Sequence, residues 1–473
     1  MSPLKRRLML LLWCLIAALA MPAPLALAGG GERSISILAG MVAESDSDDP
    51  KEEPESDPAD EEGAPEKEVD PDGESDEDRD RYLAITGGQV HTVSGPILDE
   101  VTILTKDGVI EEIGRHVQIP DEAERIDAAG YRVYPGLVAV DSFGIVGRDP
   151  VEDTTDVYSL TATAALAGGI TTTVSGTTAA KVKLGTVDEL VVKEDLFENL
   201  RYTTSNPRGR RDLRQAFDRI LEYLREVEAH ERREARGLES EEPDDQWIRG
   251  RNERYLKLLQ GELTALASAD TAHEILQLCE LAEDYGIQIV ISGAREGWTV
   301  APQMSRAGLK AIVTPRTRVD RDERLLRPNG SSIENAAILH EHGVPVAIVP
   351  RRSGISFGGL AGRDLMHLPM EAAFGVRGGL SNKAAIRSIT IDAARILGID
   401  HRVGSIEVGK DADFIITDGD LMHYMTHVRW TVVDGRIMYD KMEESLFDHI
   451  RPDGDRDAPP PDDHWPRRLG DEW

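Results

Sequence analysis

Apolar and polar positions alternate in short runs between Tyr82 and Val133, in YLAITGGQVHTV, VTILTKDGVIEEIG and ERIDAAGYRVY. A period of two predicts half-buried strands. Asp107-Gly108, inside the second run, predicts a tight hairpin turn. From residue 135 to 404 the rhythm changes. Short apolar runs (LVAVD, ITTTVS, IQIVIS, KAIVT and PVAIV) alternate with stretches of helical period, whose starts fall near Asp156, Asp212, Thr271, Thr299, Ser332 and Ser381. Strand–helix alternation sustained over roughly 270 residues predicts an α/β fold with a parallel, TIM-like (β/α)8 barrel. The β rhythm then returns in DADFIITDGD and VRWTVVDGRIMYD, with a second turn at Asp434-Gly435. The β unit is therefore split, with 82–134 and 405–440 as the two parts of one composite β-sandwich and 135–404 as the barrel between them. Within the barrel, residues 208–263 form a charged insertion. Its DLRQAFDRILEYLREVEAHERREARG spaces apolar residues helically among charges, as a solvated surface helix pair does.

Composition adds the ends. The chain has 473 residues and a formal charge of -32, which excludes nucleic acid and anionic membrane surfaces as natural partners. Much of the charge lies in residues 29–81, a Pro- and Ser-containing acidic linker with too little apolar surface to offset the entropy of ordering, and so expected to be disordered. The tail, 441–473, reads the same way. Before the linker, Lys5, Arg6 and Arg7 precede the apolar run Leu8–Ala20, and Ala26-Leu27-Ala28 stands before Gly29. That is the layout of a secretory signal peptide, residues 1–28, and it predicts export to the periplasm or the outside with no stable membrane span after cleavage. An uncleaved anchor is the alternative, although the apolar run is short for one. Cleavage removes Cys14 and leaves Cys279 alone, so no intrachain disulfide is possible. Cys279, in EILQLCELAEDYG, is expected on the buried face of a helix as a core thiol.

Two stretches carry a family likeness: DGVIEEIGRHVQIPDEAERIDAAGYRVYPGLVAVD, and SNKAAIRSITIDAARILGIDHRVGSIEVGKDADFIITDGD followed by VRWTVVDGRIMYD. ALAGGITTT and NAAILHEHGVPVAIV lie between them. Together they resemble the amidohydrolase superfamily, most closely its imidazolonepropionase-like branch, over roughly Tyr82 to Asp440. The resemblance implies a TIM-like barrel beside a split β-sandwich, and hydrolysis of non-peptide C–N bonds in small molecules. It also implies one or two divalent metals, zinc or another, at the C-terminal mouth of the barrel, polarising the substrate and lowering the pKa of bound water.

The ligand positions implied by the resemblance carry other residues. The first-strand His-x-His falls on Asp141-Ser142-Phe143, and a bridging carboxylated lysine would fall near Lys183. The third site falls near Ser268, the fourth at or near Gly293, and the last, an aspartate in the family, on Arg351 or its neighbour. An arginine there repels a cation. Other histidines do not rebuild the set. His340 and His342 lie two apart on a predicted helix and point about 200° from each other. His273 sits early in a helix, and His401, His423 and His427 lie in or near the closing β unit. His367 is the histidine placed best for a mouth, and Asp141, Glu296 and Asp364 are the loop acids nearest it.

The expectation is therefore a degenerate amidohydrolase, a pseudoenzyme with no resident metal, acting as a ligand-binding subunit or as the non-catalytic partner of a ligand-complete relative. The alternative is an active C–N hydrolase with a remodelled site using Asp141, Lys183 and Glu296. A third possibility is a small-anion site. Arg316, Arg318, Arg351, Arg352 and Arg363 all fall in loops after predicted strands, and guanidinium forks suit carboxylate and phosphate.

Overall fold

The computed structural model describes residues 80–357 and 362–443. The signal peptide, Cys14 and nearly all of the acidic linker and the tail lie outside the described residues. Among the described residues no helix is long and apolar enough to cross a membrane.

Both ends of the described chain build one eight-stranded sheet. From the N-terminal side come β1 (Tyr82–His91), β2 (Ile97–Lys106), β3 (Val109–Gly114), β4 (Glu124–Asp127) and β5 (Arg132–Pro135). The remaining strands run in chain order as β6 (Leu137–Ala139), β7 (Ile170–Ser175), β8 (Thr178–Lys181), β9 (Val191–Lys193), β10 (Phe197–Asn199), β11 (Thr264–Ala269), β12 (Ile289–Gly293), β13 (Lys310–Val313) and β14 (Val346–Ile348), then β15 (Phe414–Thr417), β16 (Val428–Val433) and β17 (Arg436–Asp440). The eight-stranded sheet is ordered β17-β16-β15-β5-β1-β2-β3, with β4 beside β1. Its seam is the antiparallel pair β5/β15, in which Pro135 faces Phe414 and Val133 faces Ile416. Leu83, Ile85, Val90, Ile103, Phe414 and Val432 fill its core. Both Asp-Gly hairpins form with both turn residues at positive φ: Asp107 at 49° and Gly108 at 82°, Asp434 at 47° and Gly435 at 68°. The two turns lie against each other. A Cβ on Gly108 would come within 3.1 Å of the Asp434 carbonyl, so glycine there serves a close backbone approach as well as its φ.

The barrel strands alternate as the pleat requires. Val138 and Val140, Val290, Ile312, Ala347 and Val349 share one core with Ala393, Ala394, Ile396 and Leu397 of the Ile391–Leu397 helix. The residues between them, Leu137, Ala139, Ile289, Ile291, Ala311, Val313, Val346 and Ile348, belong to a second core with the surrounding helices. The ladders form two arcs. One is five parallel strands, β10 to β14, and the other is β6-β7-β8-β9. β6 and β7 run parallel, whereas β8 and β9 are antiparallel additions. Among the described residues no ladder joins β14 to β6 or β7 to β10. The arcs meet through single bonds instead, such as Phe143 N to the Ser353 carbonyl (2.8 Å) and Leu196 N to the Thr177 carbonyl (2.9 Å).

Helix starts follow capping chemistry. Thr271 and Glu274 make a reciprocal capping box, and Ser381 caps the Asn382–Ser388 helix through Ala384 N. The charged insertion differs from its expectation. It is not merely a solvated pair, because Leu213, Phe217 and Ile220 of the Pro207–Glu234 helix are buried. Phe217 packs edge-on to Tyr255 and Tyr285, at 5.2 and 5.0 Å. Arg214 adds a 2.6 Å pair with Asp284. Cys279 is buried in its helix, and burial pushes its thiol up to about 12, so it behaves as a core group.

His91 gives the sheet a pH signature. It stacks on Tyr134 with ring centroids 4.3 Å apart, and burial, aided by the nearby Arg132 cation, lowers its pKa to about 4. The unfolded chain therefore binds a proton that the folded chain refuses between about pH 6.5 and about pH 4, and stability falls as pH drops through that window. Allowing for partial exposure, the loss is on the order of 1–2 kcal/mol. Urea titrations across the window should show this slope in the native chain and a flatter one in His91→Phe.

Candidate functional site

The C-terminal ends of the barrel strands carry small hydroxyls and arginines. In the inward-facing phase, β6 continues to Ser142, whose hydroxyl donates to the Val174 carbonyl at 2.8 Å. β11 and β12 place Ser268 opposite Ser292. β14 leads through Val349 and Pro350 to the exposed Arg351 and Arg352. In this layer Ser268 is exposed, Ser292 half-buried and Ser142 buried, while Asp141, in the opposite phase, is exposed. Asp141 lies beside the loop that follows β14, within reach of Ser353. Desolvation there raises its carboxyl above the usual range, and a hydrogen bond from Ser353 opposes the rise. Next to it, Phe143 is 62% exposed, with the Arg148 guanidinium 5.4 Å from its ring centroid.

Asp141, Lys183 and Glu296 are not brought together. Lys183 stands near the N-terminal end of the barrel. β8 runs back down from the mouth, placing Lys181 opposite Thr172. Lys183 Nζ binds Asp434 at 2.8 Å and donates to the Asp188 carbonyl at 2.7 Å. A bridging role at the mouth is closed to it by direction alone. Its neighbour Lys181, passed over in the sequence, is fully buried and touches Asp411, Asp413 and Asp434 at 2.9, 2.5 and 3.2 Å. Arg402 adds a second contact to Asp411 at 2.9 Å. Lys181, Lys183 and Arg402 thus balance Asp411, Asp413 and Asp434 where the barrel meets the eight-stranded sheet. Burial pushes the Asp413 carboxyl up, to about 6, against the pull of Lys181.

Glu296 follows β12 and is buried. One oxygen accepts from Ala272 N and Arg327 Nη1, both at 2.9 Å, and the other from Gly330 N at 2.9 Å. Desolvation works to raise its pKa, but these donors outweigh it and hold the carboxyl below its ordinary range. A saturated carboxylate with depressed basicity is a clamp between loops and a poor proton acceptor.

The arginines divide. Arg316 is spent on Glu371, which is 1% exposed. Its Nε and Nη2 reach one carboxylate oxygen at 2.6 and 2.5 Å, while its own backbone N–H binds the other at 2.9 Å. Phe374 lies under the guanidinium at 4.8 Å. Arg318 is exposed beside Asp320 at 3.7 Å. Arg351, Arg352 and Arg363 are exposed and make no ion pair among the described residues. Beyond β14, Asp364 Oδ1 meets His367 Nδ1 at 2.9 Å, and Ser356 N donates to the other Asp364 oxygen at 3.1 Å. His340 and His342 end a helix, with His342 Nδ1 2.8 Å from the Ile338 carbonyl. Among the described residues no group of three His, Cys, Asp or Glu side chains is placed to hold a metal ion.

Residues 305–441 match the family model described as the amidohydrolase family. An imidazolonepropionase from Pseudomonas savastanoi pv. phaseolicola is 23% identical over 400 residues, 74% of this chain and 95% of that protein. A 5-methylthioadenosine/S-adenosylhomocysteine deaminase from Symbiobacterium thermophilum is 27% identical over 217 residues, 35% of this chain and 50% of that protein. The chain thus spans half the length of that deaminase, and between 10% and 20% of several other curated relatives. Among solved structures, an amidohydrolase from Thermotoga maritima aligns with a TM-score of 0.59 at 21% identity, over 76% of this chain and 100% of that one. That likeness shows the fold, a TIM-like barrel with a β-sandwich, even though the ladders here stop short of a closed ring.

Proposed function

We propose that the chain is a degenerate member of the amidohydrolase superfamily, in its imidazolonepropionase-like branch, whose hydrolases act on C–N bonds. In this reading it keeps the scaffold and the open mouth without metal-dependent hydrolysis. The observation that carries this reading is the set of side chains at the strand ends. Ser268 and Ser292 face each other where imidazoles would be needed, and the segment after β14 presents Arg351 and Arg352 where a metal site needs an acid. Those residues do not fit a divalent cation, because hydroxyls are weak ligands and two guanidinium groups oppose its charge. The same arginines suit a small carboxylate or phosphate, with Arg316 withdrawn by Glu371. We assign the protein a ligand-binding or partner role in an exported compartment, beside a ligand-complete relative. Metal analysis of the purified, untagged protein by mass spectrometry should find far less than one divalent ion per chain. Stoichiometric zinc, or another such metal, would sink the proposal. One observation favours a second reading, a remodelled hydrolase: Asp364 orients the His367 imidazole at 2.9 Å, as a general base requires. Turnover of a C–N substrate, lost in His367→Ala, would select it.

A further inference from the structure

A cavity lies beside β10. It has a volume of about 890 Å³ and is walled by the insertion helices on one side and by the β7–β8 turn and the loop after β6 on the other. That volume lies toward the upper end of the range for small-ligand sites, about 300–1,000 Å³. Its wall is fixed by Arg254, which binds Asp195 at 2.9 Å, the Phe197 carbonyl at 3.0 Å and Glu198. The charge of Arg254 is thereby consumed within the wall. Four charges remain on the lining: Arg201 and Arg251 of one sign, Asp149 and Asp212 of the other, all exposed. Neither arginine forms an ion pair with either aspartate among the described residues, although all four border the same space. Among the described residues Asp212 pairs with Arg208 alone, at 3.9 Å on the surface. Opposite charges that share a cleft without closing on each other leave room for a ligand carrying both. Asn199 and Asn252 belong to the same lining. The Nδ2 of Asn252 is already given to the Trp247 carbonyl, which leaves its Oδ1 as an acceptor.

We propose that this cleft binds a short zwitterionic peptide, its carboxylate toward Arg201 and Arg251, its ammonium toward Asp149 and Asp212, and its backbone amides along the asparagines. The cleft is made by the insertion, so the property belongs to this chain's own elaboration of the barrel. The test is equilibrium dialysis of the full chain against labelled trialanine, with N-acetylated, C-amidated trialanine as the uncharged control. Saturable binding of trialanine is expected, weakened at least about tenfold by capping the peptide or by Arg201→Ala with Arg251→Ala. Both arginines are exposed, and thermal melts of the double variant confirm that it folds. Absence of saturable binding overturns the proposal. So does equal binding of the capped peptide, which removes the charge recognition, or unchanged binding in the double variant, which places the ligand elsewhere.

Discussion

Lys181→Met will cost the protein about 3–5 kcal/mol, the usual loss when one member of a buried ionic set is removed and the other charges stay. Lys181 is the hub: Asp411, Asp413 and Asp434 all lie within 3.2 Å of its ammonium. Methionine nearly conserves the volume, so the loss reports charge and not a cavity. Without the cation, three carboxylates face Lys183 and Arg402 alone, and Asp413, already raised by burial, rises further. Carboxylates with raised folded pKa values stabilise the folded chain as they take up protons. The gap between variant and native protein in urea denaturation should therefore narrow from about pH 7 to about pH 5. A gap below 1 kcal/mol at neutral pH would show that the network holds nothing together.

Glu296→Ala is expected to cost about 2–4 kcal/mol, since it strands the buried N–H groups of Ala272 and Gly330 and unpairs Arg327. Hydrogen exchange should quicken at Gly330 and at the start of the Ala272–Tyr285 helix, with no matching change in the eight-stranded sheet. Urea denaturation measures the first effect and exchange mass spectrometry the second. If Glu296 were a proton acceptor in a working site, the alanine variant would lose turnover and keep its stability.

How far these groups were legible in the sequence differs from one to the next. The strand phases were readable because the pleat imposes a period of two, and the Leu137–Val140 and Val346–Val349 runs divide between two cores by alternate residues. The helix starts at Thr271 and Ser381 were readable because a cap is a local device. The β8–β9 hairpin was not, since TTAAKVKLGT has neither a sharp period nor a turn dipeptide. Lys181 was missed with it. A signal existed in the spacing of Lys181, the last residue of β8, and Lys183, two residues beyond it, facing the acid-rich KDAD and Asp434-Gly435 segments. Arg316 looked like a free mouth cation because its partner Glu371 is 55 residues away, and no local pattern carries a pairing over that distance. The serines and arginines at the strand ends could be read by position, since strand ends follow from strand phase.

The seam between β5 and β15 joins residues near 133 to residues near 416. A chain emerging from the ribosome therefore cannot finish its first sheet until its last strands exist. A chain that stops before β15 lacks both the seam of the sheet and Asp434, one of the three carboxylates around Lys181, so no N-terminal piece of this chain can complete either the sheet or the buried charge cluster.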